Sequence, residues 1–106
     1  MTQLYKVVVY VPVANAGELR QAIGEAGGGK IGAYTFCSFS SRGTGRFMPT
    51  SGAKPAVGEA GKLEEVEEER IEFVCETHCF DEVIAAIRKV HPYEEPAIET
   101  WRIELK

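Results

Sequence analysis

Residues 71–103, IEFVCETHCFDEVIAAIRKVHPYEEPAIETWRI, decide the fold of this chain. The centre of the stretch is helical. Phe80, Val83, Ile84, Ile87 and Val90 fall at i, i+3, i+4, i+7 and i+10, on one face of a 3.6-residue repeat. Arg88 and Lys89 near its C-terminal end complement the helix dipole. Pro92 closes it, because the residue before a proline is pushed out of the helical region. On both sides the pattern changes. Ile71, Phe73 and Cys75 alternate with polar or smaller neighbours, and Ala97 to Leu105 carries Ile98, Trp101 and Ile103, so each flank reads as a strand.

The same unit recurs at the front of the chain. Leu4 to Val13 is a nearly continuous Val/Tyr run, the pattern of a buried strand. Asn15 followed by Glu18 predicts a capping box, with Leu19, Ala22, Ile23 and Ala26 at helical spacing behind it. Gly27-Gly28-Gly29 then permits a left-handed helix end. Alternation over Gly32 to Ser40 predicts the second strand. Residues 42–61 are the most loop-like region, a long glycine-rich excursion with a possible short strand around Arg46-Phe47-Met48. Leu63 to Glu76 reads as a strand, although LEEVEEER is helical by propensity. Its run Glu64 to Glu69 reads as a solvated or edge-strand face, which discourages stray pairing.

Two strand–helix–strand units in tandem predict a ferredoxin-like α+β sandwich, an antiparallel sheet with two helices on one face. The 106 residues are read as one domain. Several strands are apolar on both faces, so self-association is expected to cover the face that the helices leave open.

A net charge of −4 argues against a nonspecific grip on nucleic acid. No apolar run approaches the roughly 20 residues of a membrane span. The start of the chain lacks a signal-peptide pattern, and three cysteines do not suggest a disulfide framework, so the expected location is the cytoplasm.

Four stretches carry candidate chemistry. Gly24 to Lys30 matches a phosphate loop in spacing, but Ile31 stands where a Ser or Thr should hold magnesium, and the stretch closes a helix rather than opening one. It reads as a helix C-cap. Arg42, Gly43, Thr44, Gly45 and Arg46 form a candidate anion or nucleotide-like ligand site, beside the plain reading as a turn. Cys75, His78 and Cys79 offer soft donors for a divalent metal such as zinc or copper, beside the reading as two buried thiols and a helix-start histidine. No other cofactor is expected. His91, Tyr93 and Glu94, with Glu95, form a proline-bracketed turn read as an interface or structural element, with acid–base or ligand chemistry as the alternative.

Three segments together resemble a known family: YKVVVYVP, the block GAYTFCSFSSRGTGRFMP with its continuation, and THCFDEVIAAIRKVHPYEEPAIE. They are similar to the domain inserted in the middle of many bacterial Nif-three-like proteins. HPYEEPAIE also resembles the end of the CutA divalent-ion-tolerance proteins. The resemblance implies a CutA-like, PII-like domain, often trimeric through its sheets. It also implies that the family's two-metal site lies in flanking halves whose motifs this sequence lacks, so neither metal ligands nor the hydrolase label carry over. The expected function is a non-catalytic regulatory or assembly module acting as a homo-oligomer, trimer favoured, with a small-anion or divalent-metal sensor as the alternative.

Overall fold

The computed structural model describes residues 2–106. Strand β1 (Thr2–Pro12) leads into helix α1 (Val13–Glu25), then β2 (Phe39–Phe47), β3 (Glu64–Glu76), a single 3-10 turn (Thr77–Cys79), helix α2 (Phe80–Val90) and β4 (Ile98–Leu105). The strands form one sheet in the order β2-β3-β1-β4, every neighbouring pair antiparallel. This is the ferredoxin-like α+β arrangement expected from the sequence.

The register divides the side chains between two faces, because successive residues of a strand point to opposite sides. Val7, Val9 and Val11 of β1 and Ile71, Phe73 and Cys75 of β3 share the helix side. There they bury Ala16, Leu19 and Ile23 of α1 and Val83 and Ile87 of α2. Burying each large aliphatic group contributes about 1.5–3 kcal/mol. Tyr5 stacks on Phe80 at 4.1 Å between centroids, tying the start of α2 to the sheet.

The glycine run after α1 ends the helix in a Schellman arrangement. Gly28 N–H donates to Ile23 O and Gly27 N–H to Gly24 O, with Gly27 at φ 102°. The phosphate-loop-like stretch is therefore a C-cap, as its order in the chain implies.

Three expectations are corrected. Helix α1 starts at Val13, directly behind Pro12, so Asn15 and Glu18 lie within it and no side chain caps its start. Pro12, at φ −54° and ψ 141°, ends the strand and passes the chain straight into the helix. The second strand runs over 39–47 rather than 32–40. Gly29 accepts Cys37 N–H and donates to Val74 O, and Ile31 pairs with Tyr34, so 30–37 close a small loop on the sheet edge before the strand begins. The excursion thus spans 48–63, and Arg42 to Arg46 belong to β2. Finally, the glutamate-rich strand β3 is interior, and the edges of the sheet are β2 and β4.

Candidate functional site

The five residues Arg42 to Arg46 meet the acidic half of β3 directly. The register sets Arg42 opposite Glu69, Thr44 opposite Glu67 and Arg46 opposite Glu65. Arg46 Nε lies 3.2 Å from Glu65 Oε2, and Thr44 Oγ1 donates to Glu67 Oε1 at 3.2 Å. Glu69 is buried and takes Arg20 of α1 as its partner. The glutamate run is therefore a cross-strand ladder, in which opposite charges and hydrogen bonds support the pairing of a strand poor in β-formers. Of the two arginines counted toward an anion site, Arg46 is matched by Glu65, while Glu69 opposite Arg42 is taken by Arg20.

Cys75 is the last residue but one of β3 and is buried; Cys79 closes the 3-10 turn, buried against Gly27. Cys79 Sγ lies 3.5 Å from His78 Nε2, and Cys75 Sγ donates weakly to Glu76 O. Burial, then the neighbouring Cys79 and Glu76, pushes the Cys75 thiol up to about 12, which keeps it protonated and unreactive. Among the described residues no three His, Cys, Asp or Glu side chains gather as a metal site.

The turn after α2 is built around His91. Its Nε2 lies 2.7 Å from Tyr10 O, and its Nδ1 lies 3.1 Å from Tyr93 N. A carbonyl can only accept and a backbone N–H can only donate, so Nε2 carries the proton and Nδ1 is bare. With both nitrogens engaged and the ring buried, His91 is a structural clip joining the turn to β1. It delivers Tyr93 to the sheet, where the hydroxyl donates to Glu68 Oε2 at 2.9 Å and the ring meets Phe47 edge-on at 5.7 Å. Burial first, then the bond to Glu68 and its charge, raise the Tyr93 phenol above its ordinary range. Glu94 accepts Lys54 N–H at 2.9 Å, which ties the excursion to the same turn.

These contacts enclose a cavity of about 340 Å³ between the end of β2, the excursion and the 91–97 turn. Its wall is apolar, built from Phe47, Met48, Pro49, Ala53, Pro55 and Val57. Its polar groups are Tyr10, Tyr93 and the carboxylates of Glu68, Glu94 and Glu95, with Arg46 at the margin. Tyr93 and Glu94 stand out in the sequence because prolines bracket them. Glu68 does not, since it sits in a run of like residues. Strand alternation was the only signal that separated it, sending Glu67 and Glu69 to one side and Glu68 to the other.

The open face of the sheet has a second character at its opposite end. The register brings Leu4 and Val8 of β1, Val74 of β3, Trp101 and Ile103 of β4 and Phe39 of β2 onto this side. Phe39 is 69% exposed and Trp101 44% exposed. Lys6 and Arg70 both pair with Glu72 among these apolar groups.

A four-stranded antiparallel sheet in this order, with both helices on one side, defines the ferredoxin-like class to which CutA and PII proteins belong. The family model described as CutA1 divalent ion tolerance protein matches residues 59–106. The periplasmic divalent cation tolerance protein CutA from Archaeoglobus fulgidus superposes with a TM-score of 0.66 at 19% identity, over 99% of this chain and 87% of that one. The B. subtilis GlnK–ATP complex superposes with a TM-score of 0.61 at 18% identity, over 96% of this chain and 84% of that one. Both likenesses show the fold. Sequence likeness goes further elsewhere. A Bacillus cereus protein related to NIF3 matches 98% of this chain at 44% identity with a TM-score of 0.84, and this chain covers 26% of it. The GTP cyclohydrolase 1 type 2 homolog of Halalkalibacterium halodurans is 47% identical over 98 residues, which are 92% of this chain and 26% of that protein. Over more than nine-tenths of its length the chain is similar to these Nif-three-like (NIF3) proteins, and it spans about a quarter of their length.

Proposed function

We propose that this domain is a non-catalytic assembly module that self-associates through the open face of its sheet. The observation that supports the reading is that Phe39 and Trp101 stand exposed, with Ile103 half-buried beside them, over the buried Leu4, Val8 and Val74 on the face that no helix covers. Exposed apolar groups gathered away from a domain's own core mark an interaction surface. Identical copies meeting through one such patch form closed symmetric assemblies. The likeness to CutA and PII-type proteins favours three copies. Within longer family members the same module would hold the flanking halves in a fixed arrangement, and the activity implied by the relatives' name would reside in those halves.

Trp101 is the only tryptophan of the chain, so its fluorescence reports on this face alone. The reading expects emission to shift to the red, and iodide quenching to increase, on dilution through the dissociation constant. A Phe39→Glu variant should show the red-shifted, quenchable signal at every concentration. A wild-type spectrum that does not change with concentration and matches that of Phe39→Glu would contradict the reading.

A further inference from the structure

The cavity behind Tyr93 has a chemistry that the assembly reading does not use. Glu68 is only 9% exposed, and among the described residues it has no ion-pair partner. Two of the nearby guanidiniums are paired elsewhere, Arg46 to Glu65 and Arg70 to Glu72, and Arg42 leaves β2 on the side facing Glu69, away from Glu68. A buried carboxylate without a counter-charge is costly unless something cationic reaches it. One Glu68 oxygen accepts the Tyr93 hydroxyl. The carboxylate, the edge-packed rings of Phe47 and Tyr93, and an apolar wall of Met48, Pro49 and Val57 all border one space. A carboxylate beside aromatic faces within an apolar cavity is the arrangement that recognises an organic ammonium: the acid supplies the counter-ion and the rings supply cation–π attraction. Glu94 and Glu95 at the mouth add negative potential and disfavour an anionic ligand. The volume of 340 Å³ lies in the range of small-ligand pockets, room for a small amine with a ring or a short aliphatic body.

We propose that this cavity binds a small organic ammonium with an apolar body, with Glu68 as its counter-ion, held in place by Tyr93. The site lies at the opposite end of the open face from the Trp101 patch, so the inference stands whether or not the chain self-associates.

The test is a titration of the ¹⁵N-labelled chain with phenethylamine, followed by amide chemical shifts. Two isosteres, neutral 2-phenylethanol and anionic 3-phenylpropionate, are titrated in parallel. The amine should give saturable shifts centred on Gly45, Lys54 and Tyr93, and the alcohol should bind about tenfold more weakly, the ratio that corresponds to roughly 1.4 kcal/mol. Glu68→Gln keeps an acceptor for Tyr93 but removes the charge, and should abolish the preference for the amine. Met48→Lys, at a position 53% exposed and therefore tolerant of change, sets an ammonium at the cavity and should compete with the added amine. Equal affinity for amine and alcohol would overturn the proposal. So would amine binding unaltered in both variants, or the absence of saturable shifts at these residues.

Discussion

Two glycines of β2, one turn of the pleat apart, differ in what lies beyond their missing side chains, and the difference predicts opposite effects of alanine. Both face the open side of the sheet. A Cβ at Gly43 meets nothing within 4 Å. A Cβ at Gly45 would overlap Oε1 and Cδ of Glu68 and stand 2.9 Å from Oε2. Glu68 is buried, so its carboxylate clears the methyl group only by swinging away from Tyr93. That forfeits a hydrogen bond to a charged acceptor, about 1.5–3 kcal/mol. Against this, replacing glycine in a strand interior recovers about 0.5–1 kcal/mol of backbone entropy. The balance for Gly45→Ala is a loss of about 1–2 kcal/mol. Gly43→Ala keeps only the favourable part and should gain a few tenths to about 1 kcal/mol. Urea unfolding followed by far-ultraviolet circular dichroism measures both. In a Tyr93→Phe background the bond is already gone, so the cost of Gly45→Ala should shrink by about half or more. If Gly45→Ala matched Gly43→Ala, or cost the same with and without the Tyr93 hydroxyl, the account of the Glu68 site would fail.

Three further predictions test the packing elsewhere in the fold. Arg20→Ala strips the buried Glu69 of its partner and should cost about 1–3 kcal/mol, less than a fully buried pair because Arg20 is partly exposed; Glu69→Gln should recover part of that loss in thermal melts. Gly29→Ala places a Cβ against the Cys37 backbone, with its nitrogen 2.8 Å away, at φ 82°, so it should cost about 2 kcal/mol and expose the 30–38 loop to proteolysis. Stability should fall as pH rises from about 9 towards 12. The unfolded chain releases the Cys75 and Tyr93 protons in that window while the folded chain, with both groups raised, retains them; combining Cys75→Val with Tyr93→Phe should flatten the urea midpoint against pH.

The elements that the sequence disclosed are those whose local chemistry agrees with their tertiary role. The apolar stripe of α2, the Val run of β1 and the glycines behind α1 each specify one structure without help from elsewhere. Strand β2 is the opposite case. SSRGTGR has little β-propensity, and its extended form rests on residues distant in the chain, the alternating glutamates of β3. Those glutamates in turn read as a helix or a solvated face until β2 is set beside them. The apparent strand at 32–38 was misleading because its alternation is not used: Phe36 stands at φ 60° and lays its ring over Gly24 of α1. The candidate site divides in the same way. Tyr93 and Glu94 were visible between their prolines, but Glu68 became visible only once the register assigned each glutamate to a face.

Sedimentation equilibrium of the wild-type chain over a range of concentrations tests the assembly reading most directly. The protomer mass is 11.7 kDa. The account predicts a mass approaching three protomers, about 35 kDa by 3 × 11.7, which returns to one protomer when Trp101 is replaced by glutamate. A wild-type chain that sediments at 11.7 kDa throughout would contradict it.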